Sequence, residues 1–337
     1  MKAYEIKNEA GSGRLALVER PKPAPGPGEV LIRVRATSLN YRDLLTVKGG
    51  IGASVKPGLI PLSDGAGEVT EVGPDVSRVR TGDRVAAIFT PGWIAGKPRP
   101  GTADSSLGGG KVDGMLREYA VMHESAVVHI PEHLSFEEAA ALPCAAVTAW
   151  NALIPVGHVA AGDTVVIQGS GGVSIFGLQF ARLCGARVIA TTGSESKMAR
   201  LRELGAAEVI NYKTTPEWDK RVMELTGGAG ADHILDVGGA GTMVRALQAV
   251  AAGGFITVIG LLTGMGGEIN PLGILFRAVH VVGIRVGSRE MFEDMNRAIG
   301  VNRMRPVIDR VFQFDEAAAA LDYLAGGKHI GKICIRV

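Results

Sequence analysis

Between residues 164 and 183 the apolar pattern changes period once. Thr164-Val165-Val166-Ile167 is an unbroken apolar or β-branched run, Gln168-Gly169-Ser170-Gly171-Gly172 interrupts it, and apolar residues then recur at helical spacing from Val173 to Leu183. The first pattern predicts a strand buried on both faces and the last a helix. Similar alternation follows downstream. Arg187–Thr191, Glu208–Asn211, His233–Asp236, Phe255–Ile259 and Val279–Ile284 are β-rich, whereas Lys197–Leu204 (ended by Gly205), Glu217–Leu225 and Thr242–Val250 have helical spacing. Strands and helices in this order predict an α/β fold with a doubly wound parallel sheet of about six strands, assigned to residues 124–285.

Earlier residues follow another pattern. Lys2–Ile6, Leu15–Glu19, Val30–Leu39, Gly67–Val72, Arg84–Ile88 and Leu116–Val121 are short β-rich runs cut by Pro and Gly. They predict a mostly β domain with few helices, spanning 1–123 and completed by 286–337. The segment from Trp93 to Val112 is rich in Gly and Pro without hydrophobic period, which predicts a surface excursion or an active-site lip.

A glycine turn between a strand and a helix lets a pyrophosphate rest on backbone N–H groups at the helix N-terminus. Gly169, Ser170, Gly171, Gly172 and Val173 are therefore candidate cofactor-binding residues in a Rossmann sheet. The third glycine of the usual pattern falls at Ser174, which is still small enough for close helix–strand packing. An acid that would hold the 2′-hydroxyl of NAD is expected about 20 residues on. That position is Thr192, followed by Gly193-Ser194-Glu195-Ser196-Lys197. With no acid at Thr192, Ser194 can donate a hydrogen bond and Lys197 a charge to a 2′-phosphate, which favours NADPH; Glu195 opposes that reading if its loop bends inward. Gly238, Gly260, Leu261 and Gly287, at the ends of later strands, are expected along the same cleft.

Composition narrows the setting. The chain has 337 residues, 46% hydrophobic and 21% charged, and a net charge of +2, which points to no nucleic-acid or anionic-membrane partner. No apolar stretch approaches a membrane span and Met1–Glu5 carries no apolar signal region, so a cytoplasmic location is expected. Cys144, Cys184 and Cys334 are too few and too scattered for a disulfide framework or a structural zinc site.

The order of domains, together with Pro25-Gly26-Pro27-Gly28-Glu29-Val30, Asn40-Tyr41-Arg42-Asp43, Asp64-Gly65-Ala66-Gly67-Glu68-Val69, Leu142-Pro143-Cys144-Ala145-Ala146-Val147-Thr148-Ala149 and Gly331-Lys332-Ile333, resembles the medium-chain dehydrogenase/reductase superfamily from end to end. The resemblance implies a GroES-like catalytic domain beside the Rossmann domain, and a homodimer joined through Val279–Ile284. In zinc-dependent members three side chains hold the catalytic metal; the matching positions here are Asn40, Ser63 with Asp64, and Cys144. One ligand of three, the thiolate of Cys144, remains, and no cysteine lies in Trp93–Val112, where the structural zinc lobe would fall, so no metal is expected. The chain is most similar to the zinc-free quinone oxidoreductase branch. The resemblance adds Tyr212 to Lys197 beside a 2′-phosphate, places Thr148 against the nicotinamide, and sets Lys332 among the cofactor residues.

Without a Lewis acid, a conjugated carbonyl is the easier substrate, because hydride can add to carbon while donors hold the oxygen. Asn40, Tyr41 and Ser63 are the expected donors, with Asp43 and Asp64 orienting their neighbours. The expected function is zinc-independent, NADPH-dependent reduction of quinones or α,β-unsaturated carbonyls. An alcohol dehydrogenase or enoyl-thioester reductase of the same superfamily is an alternative, as is a nucleotide-binding structural protein with little turnover.

Overall fold

Apolar–polar alternation at the start of the chain forms an antiparallel hairpin of β1 (Lys2–Glu9) and β2 (Ser12–Glu19), with Lys2 opposite Glu19. The computed structural model describes residues 1–9, 12–49, 55–264 and 266–337. After the proline-rich turn come β3 (Glu29–Ser38), α1 (Tyr41–Val47), β4 (Asp64–Val72), β5 (Arg84–Ala87), β6 (Tyr119–His123) and β7 (Val127–His129). Next are α2 (Phe136–Ala140), a widened π-type turn at Leu142–Ala146, and α3 (Val147–Asn151).

The Rossmann elements follow as β8 (Thr164–Gln168), α4 (Gly172–Leu183), β9 (Arg187–Thr192), α5 (Glu195–Glu203), β10 (Glu208–Asn211), α6 (Trp218–Leu225), β11 (Ala231–Asp236), α7 (Ala240–Ala249), β12 (Val250–Val258), α8 (Leu272–Arg277) and β13 (His280–Gly283). The chain ends with α9 (Arg289–Asn302), β14 (Ile308–Gln313), α10 (Ala317–Ala325) and β15 (Lys332–Arg336).

Two compact units separate: Met1–Val147 with Gly287–Val337, and Thr148–Val286. The boundary expected at 123/124 falls inside the first unit. The reason is local: β7 pairs with β5, and α2 packs on β3 and β4, so residues 127–140 complete the first sheet rather than open the second. Among the described residues the first unit's large sheet runs β14-β15-β3-β4-β5-β7, with β6 also paired to β3. Its core includes Leu39, Leu44, Ile60, Leu62, Leu116, Phe312 and Ile333.

In the second unit six parallel strands run β10-β9-β8-β11-β12-β13. The direction of winding reverses between β8 and β11, so the loops that follow those two strands flank a topological switch point. Val166, Ile189, Ile234 and Ile256 from successive strands pack with Trp218, Val222 and Met243 of α6 and α7. β13 forms one edge, and His280, Val281 and Gly283 on it are exposed. Among the described residues no helix is long and apolar enough to cross a membrane.

Candidate functional site

In the second unit the glycine turn forms where the period changes. Gly169 lies in the left-handed region (φ 78°), a conformation that favours glycine, and its N–H donates to Thr191 O at 2.8 Å, tying the turn to the next strand. Gly171, in extended backbone, is the N-cap of α4. The first turn of that helix leaves N–H groups with no intrahelical partner, as an anion site requires. Ser174 takes a different part from the one expected. Its buried hydroxyl donates to Gln168 O at 2.6 Å, and the close helix–strand approach is made at Gly177, where a Cβ would lie 2.6 Å from Leu235 Cδ2.

The residues expected at the 2′ end converge. Lys197 Nζ donates to Ser170 Oγ at 3.0 Å, so this lysine reaches the glycine turn from α5. The Tyr212 N–H donates to Thr192 O, and a Cβ on Gly193 would lie 2.5 Å from the phenol oxygen, which places that ring over Gly193. Thr192 Oγ1 accepts the Ser194 N–H, and Ser194 Oγ is 2.9 Å from Ser196 Oγ. Glu195 is held by the register neighbour of Thr192: Asn211 Nδ2 donates to its Oε2 at 3.0 Å.

Two further loops close around β11. The Gly238 N–H donates to Gln168 Oε1 at 3.2 Å, which links the ends of β8 and β11. Asp236 is fully buried and accepts from Gly239 N (2.7 Å) and Thr242 Oγ1 (2.8 and 3.0 Å); burial raises its pKa from the ordinary carboxylate value. Gly260 must be a glycine, since a Cβ there would lie 2.2 Å from Val237 O, and Leu261 beside it is half exposed. Sequence reading missed Gln168 and Thr242; both are small links between loop ends, visible only once the strands are in order. Thr148 is buried on α3 in this unit. Gly287 belongs to the first unit, where a Cβ would lie 2.7 Å from Val147 Cγ1.

The first unit carries a buried polar cluster assembled by strand register. Ser38 stands opposite both Asp64 of β4 and Cys334 of β15. Two residues further on, just past the paired residues of β15 and β3, Lys332 meets Asn40. Lys332 Nζ donates to Leu39 O and to Asn40 Oδ1, each at 2.6 Å, and lies 3.7 Å from Asp64 Oδ2, with both charged side chains almost wholly buried. Asp64 also accepts from Ser63 Oγ (2.7 Å), Cys144 N (3.2 Å) and Ser38 Oγ (3.4 Å). The widened turn at Leu142–Ala146, which contains Pro143, turns the Cys144 N–H outward to that carboxylate. Leu62, immediately before Ser63, has φ 67° and is fully buried, a strained backbone held by its surroundings.

Of the three donors expected to act on substrate, Asn40 and Ser63 share this cluster and Tyr41 follows Asn40 in the chain; Thr148, expected against the nicotinamide, lies in the second unit. The Ser63 hydroxyl is fully buried and committed to Asp64. Tyr41 begins α1 and is half exposed. Asn40 Nδ2 is buried and has no hydrogen-bond partner among the described residues. Asp43 Oδ2 accepts the Asn40 N–H at 2.7 Å, while Asp43 Oδ1 is likewise unpartnered; burial pushes this carboxyl up to about 6. Burial and the neighbouring Asp64 raise the Cys144 thiol, so it stays protonated near neutrality. Lys332, expected with the cofactor residues, is thus fixed inside the first unit's cluster.

The second unit thus carries a glycine turn at a switch point, and the first a buried polar cluster. Residues 26–132 match the alcohol dehydrogenase GroES-like domain and residues 172–300 the zinc-binding dehydrogenase domain. A zinc-type alcohol dehydrogenase-like protein of Schizosaccharomyces pombe is 41% identical over 317 residues, covering 92% of this chain and 91% of its own. A quinone oxidoreductase of Pseudomonas aeruginosa is 31% identical, covering 91% and 90%. The solved structure of an NAD-dependent alcohol dehydrogenase superposes with a TM-score of 0.89 at 34% identity over the whole of both chains. The chain belongs to the medium-chain dehydrogenase/reductase superfamily and is an oxidoreductase.

Proposed function

We propose that the protein is a zinc-independent, NADPH-dependent reductase of quinones or α,β-unsaturated carbonyls. The observation that carries this reading is the ammonium of Lys332 inside the cluster where zinc-dependent relatives keep their metal. The donor set fits a dication poorly. Asn40 Oδ1 is taken by Lys332, and a fixed positive charge already lies 3.7 Å from Asp64. The nicotinamide, when bound to the second unit, supplies the hydride. Lys197, Ser194 and Tyr212 support a 2′-phosphate, and the acid that would favour a bare ribose, Glu195, is engaged by Asn211 beside Thr192.

Hydride addition to the β-carbon of an enone leaves negative charge on oxygen, and a proton then completes the saturated product; a quinone takes the same two electrons and two protons to give the quinol. The first unit's part is to hold that oxygen, and the unpartnered Asn40 Nδ2 is the group best placed in the cluster to donate to it. Alcohol oxidation, to which the names of two relatives point, is the competing reading. The two separate in one assay. NADPH oxidation with 1,4-benzoquinone or methyl vinyl ketone should proceed at a rate unaffected by 1,10-phenanthroline, with no zinc retained after dialysis. Chelator-sensitive oxidation of ethanol or 1-hexanol by NAD, with about one zinc per chain, would replace this reading.

A further inference from the structure

An ammonium can only donate. The atom of Asn40 that faces Lys332 Nζ at 2.6 Å is therefore the amide oxygen, and the NH2 group must point the other way. Lys332 is held in turn by Leu39 O at 2.6 Å and by the charge of Asp64 at 3.7 Å, so its position does not depend on Asn40. The outcome is a carboxamide locked in one of its two senses, with Nδ2 buried and lacking an acceptor among the described residues. Native structures rarely leave such a donor unsatisfied, and a place that does is often one a ligand completes.

From this we infer that Lys332 is a positioning residue for the reaction. It fixes the sense of the Asn40 carboxamide so that hydrogens, not oxygen, meet the carbonyl oxygen of the substrate. The inference rests on the reading of the first unit as the holder of that oxygen. Lys332 also draws charge from the amide oxygen, which makes the N–H groups stronger donors where negative charge develops. A reversed carboxamide would set lone pair against lone pair. Asp64 neutralises the ammonium without competing for it, because the shorter contacts of Lys332 are to the two oxygens of residues 39 and 40. Residues 40 and 332 are 292 positions apart, and only the β15–β3 register joins them.

The test is a double-mutant cycle on activity. Lys332→Met with Asp64→Asn removes both buried charges together, so neither is left without its partner; Asn40→Ala removes the donor. Each should leave NADPH affinity, read by cofactor fluorescence, within about twofold, and lower kcat with 1,4-benzoquinone about a hundredfold, the usual loss on removing one such donor. The combined variant should be no worse than the weaker parent within about threefold, because both changes remove one interaction. Lys332→Arg, which can still donate to the amide oxygen, should recover most of the rate. Losses that multiply, or a folded Lys332→Met/Asp64→Asn protein with full activity, overturn the inference. If the wild type reduces neither the quinone nor methyl vinyl ketone, the functional reading fails on its own. The pairing is then judged from the side-chain 15N–1H signals of Asn40, identified by their loss in Asn40→Ala. They must shift in Lys332→Met/Asp64→Asn, and unchanged signals overturn the pairing.

Discussion

The glycine turn of the second unit and the polar cluster of the first are built by opposite means. The turn is contiguous in sequence and made of backbone: Gly169 supplies a left-handed step, and the start of α4 supplies N–H groups without intrahelical partners. The cluster is made of side chains from four places in the chain, around residues 38–43, 63–64, 144 and 332. One is cheap in stability because it exposes groups that water can satisfy. The other buries an ion pair and an unionised thiol, so it depends on every partner being present. The lesson is that an electrostatic defect should be felt in folding at the cluster and in affinity at the turn.

The largest expected effect breaks the cluster. Asp64→Ala leaves the Lys332 ammonium buried without its nearest carboxylate, which typically costs about 3–5 kcal/mol. Lys197→Ala, measured in the same denaturant titration, should change stability by less than about 0.5 kcal/mol, since it lies at the partly exposed end of a helix. Equal losses in the two variants would mean that the contrast between the regions is mistaken.

The same contrast decides what could be read from sequence. The turn, its strand and its helix were legible because a change of apolar period needs only neighbouring residues; α4 begins one residue before the expected start and ends where expected. The six-stranded sheet was legible for the same reason. Lys332 was not, because its partner is set by a ladder between β3 and the last strand, and a motif cannot say which way its lysine points. The domain boundary was misplaced because β7 has three residues and α2 five, too short to show a period. The strand expected at Leu116–Val121 begins at Tyr119 instead, with the Gly114 N–H bonded to Ile60 O and Leu116 drawn into the core by the preceding loop. Ser174 was assigned by its place in a motif, whereas the close approach falls one helical turn later at Gly177.

A second test asks whether the cluster charges as its burial demands. The Asp43 carboxyl is raised from 3.8 to about 6, first by burial and then by the charge of Asp64, with Arg42 and Lys332 opposing. The folded state then holds the proton more tightly than the unfolded one. This group therefore favours folding most below pH 4, and stability falls as pH rises from about 4 to 6. A rise of this size corresponds to ~3 kcal/mol at neutral pH. Asp43→Asn removes the slope, so its stability relative to wild type should improve by up to that amount between pH 4 and pH 7, on top of a constant loss of about 1 kcal/mol from the weakened bond to the Asn40 N–H. A difference between the two proteins that is flat across this range would show that Asp43 titrates normally.

The smallest effect belongs to the turn, and it appears in binding rather than folding. Lys197 Nζ reaches Ser170 Oγ in the glycine turn, and the Tyr212 ring lies over Gly193. A 2′-phosphate placed there would gain one charge-assisted contact from this lysine, worth about 1.5–3 kcal/mol before the phosphate's dehydration is counted. Lys197→Ala should therefore weaken NADPH roughly tenfold to a hundredfold and leave NADH nearly unchanged, as read by fluorescence titration of both cofactors. The salt dependence of NADPH binding should fall as well, since the contact lies near the surface and is screened. Equal weakening of both cofactors would mean that Lys197 serves the pyrophosphate through Ser170. A wild-type preference for NADH would mean that Glu195 leaves Asn211 when nucleotide binds and takes the ribose itself. In that case Asn211→Ala, which frees the carboxylate beforehand, should sharpen the NADH preference rather than abolish binding.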